Sequence, residues 1–297
     1  MLREKIIIGG PSSYELGTNL SRKSGIKLMK PEIKIFSDGE SKIRMQYVQN
    51  KHCIIIQSLY PPIDRHIIQL LMIIQKCKID GASKITVIIP YMAYARQDKE
   101  FIKGEIITIA LLAELIKYFK VYRIITVDIH NESSLSYFGS NAKNVSALPL
   151  LAKYVIDKIN LENVIVVSPD YGGLKRAKTF ARILGKDVIF LNKKRNRQTG
   201  VINIETTNGS ELKGKKVILV DDMISTGVSI IKSCELLKKK EVSDIFVVCT
   251  HALLLNDALN QIIQSGANNV ISTNSIPNMC SKVDLSDILY ESICNDK

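Results

Sequence analysis

The chain contains no tryptophan, and only 6% of its residues are aromatic. Stacking platforms for single-stranded nucleic acid need more rings than that. The net charge of +12, carried by lysines spread along the chain, therefore points to an anionic small substrate or to solubility. No apolar run reaches the roughly 18 residues of a membrane span, so no membrane partner is expected. The start, MLREKIIIGG, mixes acid and base ahead of a strand-length apolar run and predicts no secretory signal. Six cysteines, at 53, 77, 234, 249, 280 and 294, form no CxxC pair. This predicts reduced thiols, mostly in the core of a cytoplasmic protein. The stretch VILVDDMISTGVSI, Val217 to Ile230, has no lysine in its loop, which excludes a nucleotide P-loop there. GSELKGKK, Gly209 to Lys216, nearly spells a Walker A loop. It ends in Lys where Ser or Thr must stand, and it precedes a strand instead of following one.

At 297 residues the chain exceeds one ordinary core, so two domains are expected. A hydrophobic content of 46% against 24% charged is that of a globular protein. Strand-length apolar runs at 5–10, 32–36, 52–58, 85–90 and 123–128 are separated by helical segments at about 12–23, 64–78 and 107–117. The helix at 64–78 sets Ile67, Leu70, Leu71 and Ile74 on one face. After the polar break NAKNVSALP the pattern restarts near Ala147. Helices at 150–158, 174–184 and 230–239 then alternate with strands at 164–167, 187–191, 217–220, 245–250 and 270–273. This is the sequence form of a mainly parallel sheet flanked by helices. The expectation is an α/β protein of two similar domains, 1–146 and 147–297, read as a duplication.

Polar residues collect where the strands end. Val217–Val220 runs without a polar break into Asp221 and Asp222, then Ser225-Thr226-Gly227, then a helix from about Val228. Ligands of open α/β sheets bind beyond the carboxyl ends of the strands. Free N–H groups at the start of the following helix attract phosphate. Carboxylates repel phosphate but accept hydrogen bonds from hydroxyls. Two acids beside a phosphate cradle suit a diol that carries a phosphate, a ribose 5-phosphate. The alternative is a plain strand-to-helix turn capped by Asp and Ser. FSDGE, Phe36 to Glu40, follows another strand, and its Asp-Gly equally suits a hairpin turn. YMAYARQDKE follows the strand at 85–90, Asp128 and His130 the strand at 123–128, and SPDYGG the strand at 164–167. Lys193, Lys194, Arg195 and Arg197 form a basic run in a loop from Asn192 to Gly200, which taken alone reads as a solvated charge run.

FSDGE, PYMAYARQD, VDIH, VVSPDYGG, KKR and VDDMISTG, in that order across most of the chain, resemble the ribose-phosphate pyrophosphokinases. The likeness is to the shorter, archaeal-like members. It implies phosphoribosyltransferase-like domains and transfer of the diphosphoryl group of Mg-ATP to the anomeric hydroxyl of ribose 5-phosphate. The products would be 5-phosphoribosyl 1-pyrophosphate, for nucleotide biosynthesis, and AMP. By the same resemblance Phe36, Asp38, Gly39, Glu40, Arg96, Gln97, Asp98 and Lys99 would hold ATP. The first of these loops would reach into a neighbouring subunit of a homo-oligomer. Asp221, Asp222, Ser225, Thr226, Gly227, Val228 and Ser229 would hold ribose 5-phosphate. Lys193 and Arg195 would be the catalytic pair, on a basic loop that closes over ATP.

Asp170 is the expected Mg²⁺ ligand, with His130 and Asp128 behind it, because imidazole is an unusual partner for Mg²⁺. Without the resemblance Arg96 reads as an exposed arginine beside Asp98, and His130 as a hydrogen-bonded structural residue. Two departures stand out. Many relatives have glycine where Val228 follows Gly227, and a β-branched residue rarely takes φ > 0, so Val228 must begin the helix or phosphate binding is altered. NESSLSYFGS after His130 lacks the longer metal-binding signature of bacterial members, which puts a second metal site in doubt. Two rivals remain. A phosphoribosyltransferase leaves FSDGE and YARQD unexplained. Loss of the basic run or of Asp170 would favour a non-catalytic regulatory homologue, and both are present.

Overall fold

The computed structural model describes residues 4–195, 202–206 and 212–294; for 192–195 and 202–206 only the backbone is considered. The chain divides into two compact units, one running to Ser146 and resuming at Asp284, the other spanning Ala147–Val283.

The first unit holds β1 (Lys5–Gly9), α1 (Tyr14–Ser24), β2 (Leu28–Met29), β3 (Glu32–Ile35), β4 (Ser41–Arg44), β5 (His52–Ile56), α2 (Ile63–Ile79), β6 (Lys84–Ile89), α3 (Thr108–Tyr118), β7 (Arg123–Val127), α4 (Leu135–Phe138) and β8 (Ala142–Val145). Its sheet has the order β2-β1-β5-β6-β7-β8, and every pairing is parallel. Cys53, Ile54, Ile55 and Ile56 of β5 have no exposed surface, as expected of a strand covered on both faces. Burying each isoleucine side chain contributes about 1.5–3 kcal/mol. Helix α2 buries Ile67, Leu70, Ile73, Ile74 and Cys77, one face of a 3.6-residue period. Leu71, expected on that face, is only half-buried. Strands β3 and β4 form a separate antiparallel hairpin.

The second unit holds α5 (Leu148–Lys158), β9 (Val164–Ser168), α6 (Leu174–Leu184), β10 (Val188–Arg195), β11 (Ile202–Thr206), β12 (Lys216–Ile224), α7 (Val228–Lys239), β13 (Asp244–Ala252), α8 (Ala258–Gln264), β14 (Asn269–Thr273) and β15 (Ser281–Val283). Its sheet order is β11-β10-β9-β12-β13-β14-β15, parallel except where β11 folds back on β10. Val217 and Leu219 of β12 and Val247 and Cys249 of β13 pack with Ile230, Cys234 and Leu237 of α7.

The two parallel sheets have one order. Counted along the chain within each unit, the second strand lies at one side, then the first, third, fourth, fifth and sixth. Each unit inserts its antiparallel excursion between the second and third of these strands. The last helix, α9 (Ser286–Cys294), departs from expectation. Expected with the second domain, it packs in the first unit against α1, where Lys23 pairs with Asp287 and Asn19 donates to Asp284. In the second unit α5, which follows β8, packs against α6 in the same manner. All six cysteines are free thiols, five buried and Cys294 exposed. Among the described residues no helix is long and apolar enough to cross a membrane.

Candidate active site

In the second unit the expected strand end at Val220 is corrected. Strand β12 continues through both acids to Ile224, with Asp221 opposite Cys249 and Met223 opposite His251 of β13. Aspartate disfavours strands, but the long neighbour β13 supplies ladder partners to the end. Asp222 is buried and Asp221 partly so. The Asp222 N–H donates to Asp221 Oδ1 at 2.9 Å. Burial, then the charge of Asp222, pushes the Asp221 carboxyl well above the usual carboxylate range.

The turn Ser225-Thr226-Gly227 follows. Leu255 N–H donates to Ser225 O at 2.9 Å and fixes its start. Gly227 has φ +75°, and a Cβ there would stand 3.1 Å from Ile262 Cδ1 and 3.3 Å from Ala258 Cβ. Only glycine meets both demands. Val228 is the first residue of α7, an ordinary helix start, and is exposed. The first N–H groups of α7 lack helical partners by construction, beside two acids that cannot bind phosphate themselves.

At the end of β9 the loop 168–173 is tied by its own side chains. Ser168 Oγ donates to Asp170 O at 2.7 Å, and Gly173 N–H donates to Asp170 Oδ1 at 3.1 Å. Helix α6 then brings in a residue that the sequence motifs passed over. Arg176 Nη1 stands 3.7 Å from Asp221 Oδ1 and 3.5 Å from Asp222 Oδ1. Nothing marked it in the sequence, since an arginine in the first turn of an amphipathic helix reads as solvated charge.

The basic run is only partly a loop. Asn192, Lys193, Lys194 and Arg195 extend β10 and pair with β11, Lys193 opposite Ile204 and Arg195 opposite Ile202. Arg197 lies outside the described residues, as do the side chains of Lys193 and Arg195.

In the first unit FSDGE forms the β3–β4 hairpin turn. Phe36 N–H donates to Glu40 O, and Asp38 Oδ1 accepts from Glu40 N–H at 3.0 Å. Gly39 has φ +95°, and residues 36–40 are all exposed. The loop after β6 is folded around one carboxylate. Glu105 Oε2 accepts from Ile102 N–H, Gln97 Nε2 and Phe101 N–H, which holds its carboxyl below the usual carboxylate range. Tyr94 donates to Asp64 of α2, and that bond pushes its phenol up to about 12. Arg96 and Lys99 are exposed. Asp98 accepts from Asn131, so the loop bearing Arg96 and Gln97 is joined to the segment bearing Asp128 and His130. Asp128 is buried at φ +37°, and His130 is exposed. The metal candidates are thus divided, Asp128 and His130 in the first unit and Asp170 in the second. Among the described residues no three His, Cys, Asp or Glu side chains form a ready metal cage.

Two parallel sheets covered by helices, the second ending in an acid pair and a Ser-Thr-Gly turn, define a protein built from phosphoribosyltransferase-type units. Residues 5–119 match the model of the N-terminal domain of ribose phosphate pyrophosphokinase, and residues 143–273 that of the phosphoribosyl transferase domain. The chain is 38% identical over 284 residues to the ribose-phosphate pyrophosphokinase of Sulfurisphaera tokodaii, covering 95% of this chain and 97% of that one. It is 35% identical to the enzyme of that name from Helicobacter hepaticus, of which it covers 87%. The crystal structure of phosphoribosylpyrophosphate synthetase from Mycobacterium smegmatis superposes with a TM-score of 0.88 at 27% identity, over 98% of both chains. The chain belongs to the ribose-phosphate pyrophosphokinase family and is a transferase of that type.

Proposed function

We propose that the protein transfers the diphosphoryl group of ATP to ribose 5-phosphate, yielding 5-phosphoribosyl 1-pyrophosphate and AMP. The observation that carries the reading is the end of β12, with Asp221 and Asp222 beside the Gly227 turn that opens α7. The acids accept from the sugar hydroxyls, and the N–H groups of 225–229 receive the 5-phosphate. The anomeric oxygen attacks the β-phosphorus. The bond from that phosphorus to the bridging oxygen of AMP breaks, and the hydroxyl proton is released. Such transfers are catalysed chiefly by positioning and by cations that meet charge on the transferring group. Lys193 and Arg195 are the residues assigned that role. Phe36, Asp38, Gly39, Glu40, Arg96, Gln97, Asp98 and Lys99 are assigned to ATP.

Asp170 fits as a Mg²⁺ ligand, being a carboxylate already oriented by Gly173 N–H, with Asp128 second and His130 least suited. Mg²⁺ takes one or two carboxylates and completes its shell with phosphate and water, so a ready protein cage is not required. When bound, the ion would offset charge on the phosphate oxygens. An exposed hairpin carrying Ile35 and Phe36 supports the further reading that FSDGE completes the ATP site of a neighbouring copy. The test is AMP release from ATP on addition of ribose 5-phosphate. Absence of AMP, with consumption of phosphoribosyl pyrophosphate by a free base instead, would favour a phosphoribosyltransferase.

A further inference from the structure

Among the described residues, Arg176 is a charged group of the β12 site that no motif accounts for. It reaches the two acids from α6, with its side chain about one fifth exposed, at 3.7 and 3.5 Å. Direct N–H···O hydrogen bonds run at about 2.7–3.2 Å. At the longer distances the guanidinium supplies charge without taking up carboxylate oxygens as a hydrogen bond would. Diol recognition needs both acids as acceptors, and a nearby positive charge favours the ionised form that serves as one. Two adjacent carboxylates with little access to water resist ionising together. Burial and the charge of Asp222 raise the Asp221 carboxyl, and the Arg176 charge opposes them. From β13 the titratable group facing the acids is Cys249, whose thiol burial keeps neutral.

We propose that Arg176 is a positioning residue for the sugar, holding Asp221 and Asp222 ionised together so that both accept hydrogen bonds from the ribose hydroxyls. This rests on the reading of the two acids as the diol site of ribose 5-phosphate. Arginine suits the task because one planar, delocalised charge can face two carboxylates, whereas lysine offers a single point charge.

The test is ribose 5-phosphate binding by titration calorimetry to the wild type, Arg176→Met, Arg176→Lys and Asp221→Asn, across about pH 5.5 to 8.5. Steady-state constants for both substrates accompany it. Arg176→Met is expected to weaken sugar binding on the order of 10–100-fold at neutral pH. The KM for ATP and the kcat at saturating sugar should stay near wild type. Most of the loss should be recovered as pH rises, because the unassisted acid pair then sheds its remaining proton. Arg176→Lys should lie between. Wild-type affinity in Arg176→Met, or a loss equal at every pH, would overturn the proposal. If Arg176→Met does not fold, the lysine variant decides, and a binding-versus-pH curve coincident with wild type would overturn it. Undiminished sugar binding by Asp221→Asn would instead sink the parent reading of the acids, whatever Arg176 does.

Discussion

At Gly227 an added methyl group meets two separate costs, one of backbone and one of packing. Its φ of +75° is left-handed, and an L-residue there costs roughly 1–2 kcal/mol. A Cβ would also meet Ile262 Cδ1 at 3.1 Å and Ala258 Cβ at 3.3 Å. Both belong to α8 and are fully buried, so neither can swing aside. Overpacking of this kind costs about 1–3 kcal/mol. Gly227→Ala should therefore destabilise by roughly 2–5 kcal/mol. Gly185, which ends α6 at φ +62° with nothing within 4 Å of its would-be Cβ, separates the two contributions. Gly185→Ala should lose only the roughly 1–2 kcal/mol of backbone strain. Urea unfolding of the two variants measures the difference directly. In Gly227→Ala the clash is relieved by moving the turn away from α8, so calorimetry should also show weaker ribose 5-phosphate binding. Equal destabilisation of the two variants, or undiminished sugar binding by Gly227→Ala, would refute the steric reasoning.

Lys193→Ala and Arg195→Ala should each lower kcat on the order of 10²–10³ with KM nearly unchanged, since a cation that acts in the transition state raises rate more than affinity. Arg197→Ala is the control, and near-wild-type turnover in Lys193→Ala would reduce the run to surface charge. If FSDGE completes a neighbour's site, mixing Asp38→Ala with Lys193→Ala protein should restore some activity. A fully active monomer by light scattering would contradict that. The raised Asp221 carboxyl makes the folded state bind its proton more tightly than the unfolded chain does, so the contribution to stability is present in acid and lost as pH rises through the folded value. Asp221→Asn should therefore stabilise the ligand-free protein at neutral and alkaline pH and lose that advantage in acid; thermal melts that show the reverse order would contradict the raised pKa.

How far the sequence could be read depended on whether the deciding partner was local. Central strands such as His52–Ile56 and Val164–Ser168 are buried throughout, so they show as unbroken apolar runs with no tertiary knowledge. The acids at 221 and 222 were legible as chemistry but not as strand, because the ladder that keeps them extended is offered by Cys249–Ala252, some thirty residues on. Arg176 was illegible for the same reason. Its meaning comes from β9 and β12 being neighbours, which places the first turn of α6 over the end of β12. The tail shows the limit most plainly. Leu285, Leu289 and Ile293 recur at helical spacing, so a helix near 286–294 was there to be found. Its destination was not, for an apolar face states only that it must be buried. The repeated sheet order supplies what the spacing lacks. After the sixth strand of either sheet comes a helix, and in both cases it packs on the helix that follows the first strand of the other sheet, α5 on α6 and α9 on α1. Two copies of one fold that exchange their closing helices cannot be cut cleanly at a single point in the chain. A boundary drawn near residue 146 alone therefore leaves α1 without its cover in the first half and α9 without its partner in the second.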